Sequence, residues 1–349
     1  MCPIKVGIIG SGLAARVFHI PIIQAVPQLH LTKVLERSGN SIRQGFPELE
    51  VVHSLAEMFA DDELELVVIA TPNETHFDLA RQCLEAGRHV VVDKPFTTNS
   101  TQARELIRIA QEHDRLLSVY QSRRWDGDFL TVSRLIRKGV LGKLVEYESH
   151  FDRFRSEIKS GTWRENGSEG SGMLFDLGSH LIDQATQLFG TPQSVWADIR
   201  IQREGGLADD EFELVLDYPG LKVSLKSGML AREPDLRFLL HGSRGSFVKF
   251  GLDPQEAALK KGLKPGFPGW GEDKRETWGR INFDLDDLHL EGQVETLPGN
   301  YTGYYQNIAA ALADGVKPAV DPAEALNTIR IIELAFQSSR EKRTLPFSF

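Results

Sequence analysis

Asp176, His180 and Asp183 sit in the apolar stretch GMLFDLGSHLIDQATQLFG (172–190) at spacings i, i+4 and i+7. On one helix these positions share a face, and three polar groups in an apolar amphipathic stretch need a chemical reason. Two carboxylates and an imidazole suit zinc or iron. They also suit a satisfied buried hydrogen-bond network, or an acid–base site in which histidine exchanges a proton near neutral pH. No further His, Cys or Glu cluster completes a ligand set, so no metal is expected. Gly178-Ser179 predicts a helix start, with Asp176 just before it. A second reactive group, Lys94, ends the apolar run of HVVVDKPF (89–96), and Pro95 stops the strand there. Such a lysine either caps a helix C-terminus or presents a cation to a ligand. The third group is a loop, GSGLAA (10–15), in which Gly10, Gly12 and Ala15 give G-x-G-x-x-A.

The segments around these residues say how they are held. IKVGII (4–9) is a β-branched strand, and the glycine loop follows it at once and opens a helix. That context makes the spacing a dinucleotide-binding fingerprint. Gly10 allows the tight turn, Gly12 lets the backbone approach a pyrophosphate, and Ala15 lets helix and strand pack closely. The loop residues Ser11, Leu13 and Ala14 lie where the helix N-terminus offers free N–H groups to phosphate. A second strand, LHLTKVL (29–35), ends in Glu36-Arg37-Ser38. An acid there holds the ribose 2′-OH of NAD, whereas an arginine accommodates the 2′-phosphate of NADP; this chain has both. LELVVIA (64–70), HVVVDKP (89–95) and LLSVY (116–120) complete the strands, alternating with helices. The pattern predicts an α/β doubly wound parallel sheet over residues 1–120. Its ligands lie at the carboxyl ends of the strands, which puts Asp93, Lys94 and the Thr71-Pro72-Asn73 loop on the cofactor side.

Residues 121–349 read differently. LVEYESHFDRF (144–154), SVWADIRIQ (194–202), EFELVLDY (211–218), LKVSLKSGML (221–230) and DLRFLLHG (235–242) alternate in polarity with little helix between the later ones. An α+β domain with a mostly antiparallel open sheet follows. Residues 251–280, rich in Gly, Pro and charge, predict a long loop that serves as a lid, an interface or a disordered segment. Two helices, near 303–314 and 322–340, close the chain.

The 349 residues suggest two domains. A net charge of −9 argues against nucleic-acid or anionic-membrane partners, which need a basic patch. Only Cys2 and Cys83 are present, which fits a reducing cytoplasm and no disulfide framework. The opening MCPIKVGIIG has no basic n-region or long apolar run, so no secretion signal is expected. No apolar run approaches the roughly 20 residues of a membrane span.

GIIGSGLAA, ATPNETHFDLARQCLEAGRHVVVDKPF and DLGSHLIDQ together resemble the Gfo/Idh/MocA family of oxidoreductases, from residue 4 almost to the C-terminus. SRRWDGDFLTV (122–132) and TWRENGSEGSG (162–172) resemble its NADP-linked scyllo-inositol dehydrogenases most closely. The family more often has Glu at the position of Asp93, and the NADP-linked relatives usually carry a small or neutral residue at that of Glu36. The resemblance implies an NAD(P)-dependent oxidation of a secondary alcohol of a polyol, inositol or sugar, or the reverse reduction. NADP is favoured as cofactor, with NAD as the alternative. Lys94 would lie beside the nicotinamide and touch the substrate hydroxyl, and Pro95 would follow a cis bond. His180 would take the proton and Asp176 would orient the substrate or the imidazole. Arg124 is a further substrate contact, and His76, Asp93, Pro95, Arg123, Trp163 and Arg164 join the cofactor contacts. The open sheet would form a dimer face, giving a homodimer or a dimer of dimers. A nucleotide- or sugar-sensing regulator and an NAD-dependent glycoside hydrolase on the same fold are the alternatives.

Overall fold

The computed structural model describes residues 2–158, 162–233 and 236–349, with the side chain of Trp163 outside the described set. The chain divides into two compact units.

The first unit comprises Met1–Ser122, Gln255–Trp270 and Asn300–Leu326. Its sheet contains β1 (Ile4–Ile9), β2 (Leu29–Leu35), β3 (Glu50–Val52), β4 (Leu64–Ile69), β5 (His89–Val92) and β6 (Leu117–Val119), in the order β3-β2-β1-β4-β5-β6. All pairings are parallel. Val90, Val91 and Val92 are wholly buried, as expected of a strand covered on both faces. The helix Ser100–Glu112 begins where the Asn99 side chain accepts the Gln102 N–H at 3.0 Å. Such a cap stabilises a helix by about 1 kcal/mol. The order reverses direction between β1 and β4, and ligands of open α/β sheets bind at that switch point.

The second unit comprises Arg123–Pro254, Gly271–Gly299 and Asn327–Phe349. Its strands are β7 (Leu144–His150), β8 (Ser194–Arg200), β9 (Glu211–Tyr218), β10 (Leu221–Gly228), β11 (Leu236–Gly242), β12 (Gly245–Phe250), β13 (Gly279–Leu285), β14 (Leu288–Val294) and β15 (Leu345–Pro346). They run in the order β14-β13-β12-β11-β7-β10-β9-β8-β15, antiparallel except where β10 pairs with β7. Phe212, Leu214, Leu216 and Tyr218 of β9 are buried, while the residues between them are more exposed. One face therefore packs on the core and the other stays polar. Ser338 and Ser339, near the end of the helix Pro322–Glu341, accept the Ala197 and Ile199 N–H groups of β8, both at 3.0 Å.

Some sequence expectations change. Residues 251–280 are not one long loop, because Gln255–Lys260 is helical and β13 begins at Gly279. The strand expected over 235–242 runs from Leu236, and Asp235 lies outside the described residues. Among the described residues, no helix is long and apolar enough to cross a membrane.

Candidate active site

The glycine loop combines one crowded glycine with one that faces open space. Gly10 has φ +110°, and a Cβ there would stand 2.4 Å from the Ala70 carbonyl oxygen. A Cβ on exposed Gly12 would meet nothing within 4 Å. Ala15 is fully buried. The helix that follows opens with a π-helical segment, Ala14–His19, and Arg16 donates from Nε to the Ser11 carbonyl at 2.7 Å. One glycine is thus required by the fold, and the other keeps open a space that the protein does not fill. This fits a dinucleotide pyrophosphate at the loop. Gly10→Ala should lower apo stability by about 1–3 kcal/mol, as strain at a glycine-only conformation does. Gly12→Ala should leave the apo melting temperature unchanged but weaken cofactor affinity about tenfold, the effect of about 1.4 kcal/mol. Thermal melts and cofactor titration of both variants check the pair.

At the end of β2, Glu36 and Arg37 separate. Glu36 is buried; its Oε1 accepts from Ser41 Oγ, and its Oε2 accepts the Ile42 N–H at 3.2 Å. Burial alone would raise this carboxyl, but those hydrogen bonds and the nearby Arg16 charge hold it below the usual carboxylate range. Arg37 and Ser38 are exposed.

Lys94 follows the end of β5, and its peptide bond to Pro95 is cis. The Asp93 N–H donates to the Ile69 carbonyl at 2.8 Å, and the Asp93 carboxylate accepts the Lys94 N–H at 2.8 Å. Burial would raise the Asp93 carboxyl; His19, Lys94 and His76 nearby hold it low instead. His76, expected at the cofactor, is fully buried. Its Nδ1 lies 2.8 Å from the Pro95 carbonyl oxygen and its Nε2 3.0 Å from that of Thr71. It lies between the two loops, and burial pushes its imidazole below the usual range, so the neutral ring donates to one of the two carbonyls. In the neighbouring loop, Thr71 Oγ1 and Thr75 Oγ1 are 2.7 Å apart, Thr75 Oγ1 donates to the Pro72 carbonyl at 2.7 Å, and Asn73 is buried.

In the second unit the helical path begins earlier than the sequence suggested. A π-helical segment, Leu174–Gly178, runs directly into the α-helix Ser179–Phe189, so Asp176 lies inside the helix rather than before it. Gly178 has helical φ −60°. Its lack of a side chain serves packing, since a Cβ would lie 2.6 Å from Leu174 Cδ1 and 3.3 Å from the Phe212 ring. The helix start is set by Asp209, whose Oδ2 accepts the Leu174 N–H at 2.7 Å while its carbonyl accepts the Met173 N–H at 2.9 Å. Burial pushes the Asp209 carboxyl up to about 6.

Asp183 does not join His180 in a shared ligand set. It accepts two hydrogen bonds from Arg124, Nε at 2.8 Å and Nη2 at 2.7 Å, both residues being buried. Among the described residues, no cluster of three or more His, Cys, Asp or Glu is arranged to hold a metal. Arg124, expected at the substrate, therefore anchors the helix, in the two-pronged geometry that suits a buried carboxylate. Arg123, expected at the cofactor, points inward as well: Nη1 is 3.2 Å from Asp126 Oδ2, and the guanidinium lies 4.7 Å from the Phe151 ring centroid. Arg164 approaches Asp176, Nε to Oδ1 3.4 Å. His180 is 6% exposed, and its ring meets Phe151 edge-on with centroids 6.4 Å apart.

Behind these stands Arg237, which the sequence reading missed. Fully buried, it reaches Asp128 Oδ2 (3.0 Å), Ser149 Oγ (2.6 Å) and Gln184 Oε1 (2.8 Å), and lies 4.1 Å from the Phe151 ring centroid. Gln184 in turn donates to the Arg123 carbonyl at 2.8 Å. The one available signal was an arginine inside the apolar run of DLRFLLHG. It sits where the pairing of β11 with β12 shifts register.

A parallel sheet with this order and a glycine loop at its switch point define a dinucleotide-binding fold. The chain belongs to the Gfo/Idh/MocA family. The family model "Oxidoreductase family, NAD-binding Rossmann fold" matches residues 4–121, and "Oxidoreductase family, C-terminal alpha/beta domain" matches residues 133–347. The protein is an NAD(P)-dependent dehydrogenase or reductase. It is 44% identical to the oxidoreductase YdgJ of Escherichia coli, over 98% of both chains. It is 40% identical to the scyllo-inositol 2-dehydrogenase (NADP(+)) IolW of Bacillus subtilis, over 98% of this chain and 95% of the other. The solved structure of the oxidoreductase yvaA from Bacillus subtilis superposes with a TM-score of 0.96 at 39% identity, covering 99% of each chain.

Proposed function

We propose that the protein transfers hydride between NADP and a secondary alcohol of a polyol, with an inositol as the favoured substrate. The observation that carries the chemistry is Lys94, a cation held at the carboxyl end of a buried parallel strand, where open α/β sheets bind ligands. The likeness to a scyllo-inositol 2-dehydrogenase supports the substrate class. The nicotinamide, when bound, supplies the hydride acceptor or donor. Ser11, Gly12, Leu13 and Ala14 hold its pyrophosphate, and the loop Thr71-Pro72-Asn73 and Pro95 border it. In oxidation, His180 takes the hydroxyl proton, Lys94 stabilises the charge developing on the oxygen, and Asp176 orients the substrate or the imidazole. The protein works as a homodimer or a dimer of dimers in the cytoplasm.

The test is a polyol panel, scyllo- and myo-inositol included, mixed with protein and NADP⁺ or NAD⁺ while nicotinamide reduction is followed by absorbance. Reduction with an inositol supports the proposal. A panel with no turnover in either direction sinks it and favours a sensor. Release of an aglycone with no net reduction favours the hydrolase.

The choice of NADP is supported by the engagement of Glu36 with Ser41 and Ile42, which removes a carboxylate from the path of a 2′-phosphate and leaves Arg37 and Ser38 exposed. Arg37→Ala should lower kcat/KM for NADP about tenfold or more, the loss of one charge-assisted contact of about 1.5–3 kcal/mol. NAD use should be unaffected. Unchanged NADP use would show that the arginine does not read the phosphate.

A further inference from the structure

Next to Lys94 lies a buried polar array that the proposed reaction does not use directly. Oδ1 of Asp93, which accepts the Lys94 N–H, is 3.8 Å from Nε2 of His19. His19 ends the π-helical segment after the glycine loop. Its other ring nitrogen, Nδ1, is 2.6 Å from the hydroxyl oxygen of Tyr305, on the helix Thr302–Asp314. His19 and Tyr305 are both fully buried. Tyr120 packs on the imidazole with ring centroids 4.3 Å apart and donates to the Phe18 carbonyl at 3.0 Å. Tyr304 packs edge-on against Tyr120 and Tyr305 and donates to Ser118 Oγ at 3.0 Å. The ionisable groups facing Asp93 are thus His19, His76 and Lys94, with Tyr305 beyond His19.

Electrostatics order the hydrogens in this array. Nε2 has no hydrogen-bond partner among the described residues, and the acceptor it faces is the Asp93 carboxylate. A lone pair there would be repelled, so Nε2 carries the hydrogen. In the neutral ring Nδ1 is then the acceptor, and the Tyr305 hydroxyl is the donor. Burial pushes that hydroxyl well above its ordinary range, which keeps its proton in place. The array therefore points two dipoles in series at one carboxylate, and that carboxylate grips the backbone of the lysine.

We infer that His19 and Tyr305 are positioning residues for Lys94, acting through Asp93. A largely buried carboxylate is costly without partners. The dipoles favour the Asp93 rotamer that accepts the Lys94 N–H, and with it the position of the strand tip that carries the ammonium. The inference rests on the part given to Lys94 in the proposed function.

The experiment is a double-mutant cycle on Tyr305→Phe, which keeps the ring and removes only the O–H donor, and Lys94→Met. Single-turnover rates are measured with the most active polyol of the panel, and cofactor affinity is read from nicotinamide fluorescence. In the wild-type background Tyr305→Phe should lower the hydride-transfer rate about tenfold, within the range that a small misplacement of a reacting group costs. Cofactor affinity should be unchanged. In the Lys94→Met background the same substitution should cost nothing further, because contacting groups that act together are not additive. Equal losses in both backgrounds, or no loss in the wild type, overturn the inference. They leave the function proposed for Lys94 intact if Lys94→Met is itself impaired. A fully active Lys94→Met, or a panel without turnover, overturns both. Should Tyr305→Phe fail to fold, His19→Gln is carried through the same cycle with the same criteria.

Discussion

His180→Asn should lower kcat for polyol oxidation by about 10²-fold or more, the usual worth of a positioned acid–base group. The substitution keeps a polar group in a site that is 6% exposed, so the fold should survive while the proton acceptor is lost. The wild-type profile has a definite sign. Oxidation needs the neutral imidazole, so its rate should rise with pH. Reduction needs the protonated ring and should fall over the same range. In His180→Asn both limbs should flatten. Asp176→Asn should cost less if Asp176 only orients its neighbour, and a comparable amount if it binds the substrate hydroxyl itself. Initial rates from pH 6 to 9 in both directions are the measurement. Near-normal kcat for His180→Asn across that range would make the histidine structural.

Lys94→Met should cut kcat by about 10²–10³-fold, the loss seen when one group stabilising a developing oxyanion is removed. Methionine keeps much of the lysine's length and none of its charge. The glycine loop is untouched, so cofactor affinity should largely persist. The result that would remove Lys94 from the mechanism is a variant with full kcat. A raised KM at unchanged kcat would mean that the lysine binds substrate and transition state equally.

Both residues stand out in the sequence for local reasons. Three consecutive valines and Asp93 precede Lys94 and a proline follows it, so its place just past a strand end is written in neighbouring residues. The turn at Gly10, the open space above Gly12 and the packing of Ala15 are each properties of one position in one strand–loop–helix unit. Asp176 and His180 share a helix face because of their spacing. Five strands of the parallel sheet were legible as largely apolar runs, whereas the three-residue β3 left no such run. By contrast, β14 is exposed along almost its whole length and has no buried face to leave a pattern in the sequence.

What the local pattern could not supply was the partner of each polar group. Gly178 looked like a helix boundary and proved to be room for Leu174 and Phe212. Asp183 looked like a third member of a polar site and proved to be the anchor of Arg124. His76 read as a cofactor contact and lies buried between the carbonyls of two loops. The residues 300–326 belong with the first unit, far from it in sequence, and bring Tyr305 to a histidine 286 positions earlier. By itself the sequence determined most of the parallel sheet, the glycine loop, the lysine just past a strand end and the spacing of Asp176 and His180, because each follows from periodicity or backbone freedom over a few residues. Only the tertiary structure decided which charges are neutralised, which glycines are needed for space and which distant side chains lie beside Asp93. Those choices depend on what a buried polar group meets, and burial joins residues without regard to their separation along the chain.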